Sequence, residues 1–173
     1  MVKALILAAG RGERLRPLTD KHPKTMLKVH GIPLMQWEMR ALGLGGVTKL
    51  VVNTAWLGHQ IEDYFSSQYI DVFSHEAAYL LPSMLSKSEQ KLELKYLYTL
   101  QYSHEGIDFG GALETAGGIV RALPLLCSAD ENDIFWVLAG DVYAPNFYFS
   151  QESVDKFKAS NKLAHIWLVP NPE

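Results

Sequence analysis

The run Ala4-Leu5-Ile6-Leu7-Ala8-Ala9 is apolar without a break and stops at Gly10-Arg11-Gly12. A run this short, bounded by a turn signal, suits a strand covered on both faces, where no polar alternation is needed. Residues 48–53, with Leu50-Val51-Val52, and residues 134–139, ending in Gly140-Asp141-Val142, have the same character. Between the first two lies a segment of helical spacing, 34–44, with Pro33 suited to its first position and Met35, Met39 and Leu42 on one face as core residues. Gly43, Gly45 and Gly46 end it. Strand, helix and strand in this order predict a parallel, right-handed crossover, hence an α/β fold with a mainly parallel central sheet between helical layers.

The turn after the first strand points to a ligand. Gly10 and Gly12 lack Cβ, so the backbone can turn sharply and set its N–H groups against phosphate oxygens. Arg11, Arg14, Arg16, Lys21, Lys24 and Lys28 lie within residues 11–28, opposed there only by Glu13 and Asp20, in a chain whose net charge is −3. Like charges gathered this densely repel unless an anion or solvent screens them. An anionic ligand, a triphosphate in particular, is the economical reading; a solvated basic loop is the alternative. The dinucleotide fingerprint fails because Leu15 stands where its third glycine belongs, and G-K-[ST] occurs nowhere.

With 173 residues and 48% hydrophobic content the chain fits one domain with a sizeable core. The mildly negative balance argues against a nucleic-acid partner, and no stretch is long enough to span a membrane. Cys127 is the only cysteine, so no internal disulfide forms and a reducing, cytoplasmic location is expected. The partner should be small. Oligomeric state is not legible.

Residues 53–58 come directly after the second strand and so belong at the carboxyl edge of the sheet, where open α/β sheets bind ligands. Trp56 can stack on a sugar face while Asn53 offers a donor and an acceptor to hydroxyls; equally, Trp56 can be core and Asn53 a helix cap. Residues 59–67, with Ile61, Tyr64 and Phe65 on one face, predict an amphipathic helix. Residues 68–93 show no sustained period and read as an insertion, with 80–85 a candidate mobile stretch or oligomer contact. Residues 92–103 read as one long strand or a hairpin that delivers His104-Glu105-Gly106 to the site edge. Thr115 is a candidate helix cap, and Gly117-Gly118 would let a flat ring approach the backbone. Asp141, at the tip of a buried strand beside a phosphate site, suits Mg²⁺, which takes one or two carboxylates plus phosphate oxygens; a turn-forming role is the alternative. Residues 150–159 predict a helix and 163–169 a strand with His165 packed on it. The histidines show no paired ligand spacing, and no G-x-S-x-G elbow is present.

Leu7-Ala8-Ala9-Gly10-x-Gly12-x-Arg14-Leu15-x-Pro17-Leu18-Thr19 with Pro23-Lys24 resembles the signature of the sugar-1-phosphate nucleotidyltransferases, and Leu113-Glu114-Thr115-Ala116-Gly117-Gly118 matches their second motif. The resemblance implies a Rossmann-like three-layer α/β/α sandwich of the nucleotide-diphospho-sugar transferase type. It also implies a reaction in which a sugar-1-phosphate attacks the α-phosphate of a nucleoside triphosphate, with Mg²⁺ as cofactor. Arg14, Lys24 and Asp141 would be catalytic, Asp141 also holding the metal. Ala8, Gly10, Arg11, Gly12, Glu13, Glu105 and Gly117 would bind the nucleotide, and Asn53, Trp56 and Glu114 the sugar. Residues 53–58, Glu105 and 113–115 look most like the bacterial uridylyltransferases acting on N-acetylmuramic acid α-1-phosphate, in cell-wall recycling. Ala139 departs from them, standing where a polar residue often precedes Gly-Asp. The resemblance further implies a second metal-binding aspartate and last sheet strands beyond residue 173. Two classes of function are compatible with it: a nucleotidyltransferase, for this sugar or another hexose-1-phosphate such as glucose or mannose, and a non-catalytic nucleotide or nucleotide-sugar binding module.

Overall fold

The computed structural model describes residues 2–74, 93–128, 133–144 and 147–168. In chain order the elements are β1 (Lys3–Leu7), a small hairpin of β2 (Lys28–Val29) and β3 (Ile32–Pro33), α1 (Leu34–Leu44), β4 (Lys49–Thr54) and α2 (Gly58–Phe65). Then come β5 (Gln68–Ser74), β6 (Glu93–His104), α3 (Glu105–Phe109), α4 (Glu114–Leu126), β7 (Phe135–Ala139) and α5 (Gln151–Ala159). The central sheet runs β5-β6-β4-β1-β7, and every pairing is parallel except that of β5 with β6.

Side chains alternate across a strand, so β1 feeds two cores. Ala4 and Ile6 pack with Met35, Met39 and Leu42 of α1, Ile61 and Phe65 of α2 and Val154 of α5. Leu5 points the other way, onto Val51, Ala122 and Leu126, the last two from α4. Helices therefore cover both faces, which is the three-layer α/β/α sandwich. Met35, Met39 and Leu42 are fully buried, each removing apolar surface worth roughly 1.5–3 kcal/mol, as their spacing predicted.

α1 also carries charge inward. Arg40 is clamped to Asp71 of β5, with Nε to Oδ2 at 2.7 Å and Nη2 to Oδ1 at 3.0 Å, and Gln36 Nε2 donates to the same Oδ1 at 3.0 Å. The guanidinium lies 4.3 Å from the centre of the Phe73 ring.

Several expectations change. The stretch 68–74 is an edge strand of the central sheet; 75–92, which includes the candidate contact at 80–85, lies outside the described residues. Residues 93–104 form one strand, not a hairpin. α4 begins at Glu114 with Leu113 in the capping position, so Thr115 sits inside the helix and caps nothing. The strand expected at 163–169 does not form over 163–168: Leu163, Ile166 and Leu168 are exposed, and His165 stacks at 4.1 Å on Trp167, which packs against Trp136. An apolar run alone does not make a strand where no neighbouring strand pairs with it.

Candidate functional site

Four parallel strands end on one side of the sheet, and their register brings distant residues level. Leu7 pairs with Asn53 and with Ala139, and Asn53 with Ser103. The backbone just beyond those positions surrounds a cleft of about 720 Å³ lined by the basic glycine turn from Ala8 to Leu15, by Lys24 and Thr25, and by Asn53, Glu105, Glu114 and Asp141. Of the expected site residues only Trp56 and Gly117 stand outside this lining.

The turn is built by glycine and then locked by threonine. Gly12 has φ +68°, and a Cβ there would meet Thr19 Cγ2 at 2.9 Å. Thr19, fully buried, donates from its hydroxyl to Gly12 O at 2.8 Å. Gly10, in contrast, is exposed with open space where a side chain would be, so its backbone is free for a ligand to approach.

The cations sort into two groups. Arg11 donates to Thr19 O at 2.8 Å and to Asp20 Oδ1 at 3.0 Å, and its guanidinium lies 3.6 Å from the centre of the Trp56 ring. Arg16 reaches the same Asp20 oxygen at 2.8 Å. These guanidinium groups, Arg11 foremost, hold the Asp20 carboxyl below its ordinary range. Arg11 thus braces the turn. Arg14, on the cleft wall, makes no ion pair with any described residue, which leaves its charge for a ligand.

At the floor of the cleft Lys24 Nζ is ion-paired with Asp141 Oδ2, both side chains about one-third exposed. Lys24 arrives on the short turn Lys24–Met26, and Asp141 on the turn after β7, where Gly140 N donates to Leu7 O at 2.9 Å. Gly140 has no room for a side chain: a Cβ would lie 2.9 Å from Ile6 Cγ2 and from Thr25 Cγ2. Behind this turn lies Glu38 of α1, 7% exposed, its carboxyl pushed up to about 9 by burial first and by the Asp141 charge second. Sequence reading missed Glu38. It sits one position before a core methionine on a helix whose residues 34–43 are all buried, and that all-round burial is not visible in the helical spacing.

Asn53 and Glu105 form a clamp. Asn53 Oδ1 accepts from Ala8 N at 2.6 Å, Asn53 Nδ2 donates to Glu105 Oε1 at 2.6 Å, and Glu105 Oε2 accepts from Leu113 N at 2.7 Å. Asn53 is 2% exposed and Glu105 fully buried. Their expected contacts, to sugar and to base, therefore meet polar groups already engaged, and what they present to the cleft is a fixed backbone at Ala8 and Leu113. Gly118 closes against the pair: a Cβ there would lie 2.6 Å from Asn53 Nδ2 and 2.7 Å from Glu105 Oε1. That glycine admits the clamp rather than a flat ring. Gly118→Ala is expected to lower stability by about 1–2 kcal/mol, because overpacking outweighs the gain in helix propensity. A thermal melt at or above that of the unaltered protein would refute this.

Trp56 faces an adjoining cleft of about 660 Å³ with Leu57, His59, Glu62, His104 and Gly106. One face of its ring is covered by Arg11 and its Nε1 donates to Thr19 O at 2.9 Å. Glu114 lines the main cleft with φ +60°, an uncommon conformation for a residue with a side chain and one met often at ligand sites. Among the described residues no group of three or more His, Cys, Asp or Glu is placed to hold a metal ion.

A parallel sheet whose strand tips carry a basic glycine turn beside a carboxylate puts the chain among the open α/β domains with their cleft at the carboxyl edge of the sheet. The nucleotidyl transferase family model matches residues 3–173, and the chain belongs to that family. It is 39% identical over 171 residues to N-acetylmuramate alpha-1-phosphate uridylyltransferase of Neisseria meningitidis serogroup B, a match covering 99% of this chain and 60% of that one. It is 31% identical to the Caulobacter vibrioides protein of the same name, over 71% of this chain and 40% of that one. With UTP--glucose-1-phosphate uridylyltransferase of Synechocystis it shares 30% identity over 81% of this chain and 30% of the relative. The chain thus spans less than two-thirds of the length of each of these relatives. Among solved structures, apo UDP-glucose pyrophosphorylase superposes with a TM-score of 0.59 at 20% identity, over 92% of this chain and 56% of that one. The UDP-glucose complex of a UDP-glucose pyrophosphorylase superposes with a TM-score of 0.54 at 24% identity, over 82% and 46%. These two show the fold, a mostly parallel sheet flanked by helices, as expected.

Proposed function

We propose that this domain transfers a uridylyl group from UTP to a sugar-1-phosphate, N-acetylmuramic acid α-1-phosphate in the first instance, in the cytoplasm. The observation that carries the reading is the Lys24–Asp141 pair at the floor of a cleft walled by Arg14 and the Gly10–Gly12 turn. The choice of sugar and base rests on the names of the Neisseria and Caulobacter relatives.

An oxygen of the sugar-1-phosphate attacks the α-phosphorus in line, the bond from that phosphorus to the α,β-bridging oxygen breaks, and pyrophosphate leaves with the bond's electrons. The attacking phosphate is already ionised, so no general base is required. The protein orients the reactants and offsets negative charge at the α-phosphate and leaving group. Arg14 and Lys24 supply that charge; Ala8, Gly10, Gly12 and Glu13 shape the turn that receives the nucleotide, with Arg11 bracing it. The Asn53–Glu105 clamp sets the Ala8 and Leu113 backbone around the base, with Gly117 in the adjoining helix, while Glu114 and the Trp56 cleft are left for the sugar. Asp141, an oxygen donor with cleft exposure and a displaceable partner in Lys24, suits Mg²⁺ completed by phosphate oxygens. When bound, the ion supplies Lewis-acid neutralisation of phosphate charge.

Pyrophosphate release by the purified chain, given UTP and a panel of sugar-1-phosphates, tests this. Turnover with N-acetylmuramic acid α-1-phosphate at least tenfold above that with glucose- or mannose-1-phosphate is expected. Absence of turnover across the panel, with UTP still raising the melting temperature, would instead support a nucleotide-binding module. Asp141→Asn is expected to raise the Mg²⁺ concentration for half-maximal release about tenfold, roughly 1.4 kcal/mol of lost cation affinity; an unchanged Mg²⁺ profile would end the metal assignment.

A further inference from the structure

Residues 11–24 carry Arg11, Arg14, Arg16, Lys21 and Lys24, opposed there only by Glu13 and Asp20. Their backbone is irregular apart from the short turns Glu13–Leu15, Leu18–Asp20 and Lys24–Met26. Cations gathered on so little regular structure push one another apart, and the Asp20 carboxylate is already shared by Arg11 and Arg16. Before a phosphate arrives, something else has to hold this stretch in place.

Three residues do so by touching one another. Thr19, fully buried, ties down the glycine turn with its hydroxyl on Gly12 O, and its own carbonyl oxygen accepts twice, from Arg11 Nη1 at 2.8 Å and from Trp56 Nε1 at 2.9 Å. The Arg11 guanidinium lies 3.6 Å from the centre of the Trp56 ring, which closes the triangle. A ring face attracts a guanidinium without bringing a further carboxylate to the turn, so the local positive field is kept for a ligand. The indole is itself set from behind. Leu57 has φ +51°, uncommon for a residue with a side chain, and Gly58 has no room for one, since a Cβ would lie 2.7 Å from Thr54 Cβ. From the first turn of α2, Gln60 Nε2 donates to Lys21 O at 2.9 Å, so the segment 56–60 grips the basic stretch at two points.

We propose that Trp56 is a positioning residue for the nucleotide's phosphates, acting through Arg11 and Thr19 to set the Gly10–Gly12 turn before the ligand binds. This rests on the reading of that turn as the element that receives the phosphates. A turn ordered in advance loses less freedom on binding, and the gain appears as affinity for the triphosphate. Because Trp56 also lines the adjoining cleft, the test uses nucleotide alone, without sugar.

Calorimetry of UTP with Mg²⁺ compares Trp56→Leu, which loses both the donor and the ring face, with Trp56→Phe, which keeps a face. The Kd for UTP is expected to rise tenfold or more in Trp56→Leu and about threefold in Trp56→Phe. In Trp56→Leu the Leu15 amide, which donates to Gly12 O at 3.0 Å, should exchange with solvent at least fivefold faster by NMR. Arg11→Met should weaken UTP at least as much as Trp56→Leu does, and the double variant should be no more than twofold weaker than Arg11→Met, because both changes remove one support. A lowered melting temperature with UTP affinity within twofold would show a role in the fold alone and overturn the proposal. Should Trp56→Leu fail to fold, Trp56→Phe decides on the same terms. Single effects that multiply in the double variant would also overturn it, since Trp56 would then act on the ligand without Arg11. If the unaltered protein binds neither UTP nor inorganic tripolyphosphate, the phosphate reading of the turn fails by itself. The Leu15 exchange rate then decides: a faster rate in Trp56→Leu sustains the turn-setting role, and an equal rate overturns it.

Discussion

Lys24→Ala is expected to lower kcat/KM for pyrophosphate release by roughly 10²–10³-fold, the range found when one preorganised donor to a developing anion is removed. The fold should be untouched. The Lys24–Asp141 pair is about one-third exposed on both sides, and ion pairs in such surroundings contribute on the order of 1 kcal/mol or less. The two effects separate because the ammonium has different partners in the two states. Without ligand it pairs with Asp141; on the proposed reading Asp141 would hold the cation, and the ammonium would be left for the phosphates. Steady-state kinetics together with a melting curve check this: a melting temperature within about 3 °C of the unaltered protein and a collapsed kcat/KM are predicted. Retention of kcat/KM within threefold, or unweakened UTP affinity by calorimetry, would remove Lys24 from the site.

How much of this was legible in the chain depends on the range over which each feature is determined. The strands at β1, β4 and β7 and the helix α1 arise from local apolar pattern, so their positions were readable to within a residue or two. The glycine turn, the cation cluster and Asp141 were readable because residue type and spacing carry their chemistry. Pairing between those residues was not, because it depends on register. Leu7 stands level with Asn53 and Ala139 only once β1 lies between β4 and β7, and that placement brings about the Asn53–Glu105 clamp and the approach of Gly118 to it. Trp56 illustrates the same limit: its place beside the sheet edge was expected, and the Arg11 guanidinium over its face was not. The apolar run at 163–168 misled for a related reason, since a strand exists only with a partner.

Asp71→Ala is expected to destabilise the protein by about 3–5 kcal/mol, the cost of leaving a buried cation without its counter-ion. Asp71 is 3% exposed and Arg40 6%, and the pair joins α1 to the edge strand β5 through two charged hydrogen bonds with a third from Gln36. Removing the carboxylate strands the guanidinium against Phe73 and Trp37, where ring faces offset only part of the lost charge pairing. At roughly 2–4 °C per kcal/mol for a domain of this size, the melting temperature should fall by on the order of 10 °C. The pair itself contributes far less than its breakage costs, so Asp71→Ala combined with Arg40→Met should recover at least half of the loss, with apolar contact replacing an unpaired charge. Because α1 also bears Trp37 against Tyr143, two residues after Asp141, Asp71→Ala should weaken UTP-dependent stabilisation as well, and the double variant should restore it. A drop under 3 °C for Asp71→Ala, or a double variant no better than the single, would mean that water reaches Arg40 and that the helix is anchored by its apolar face alone.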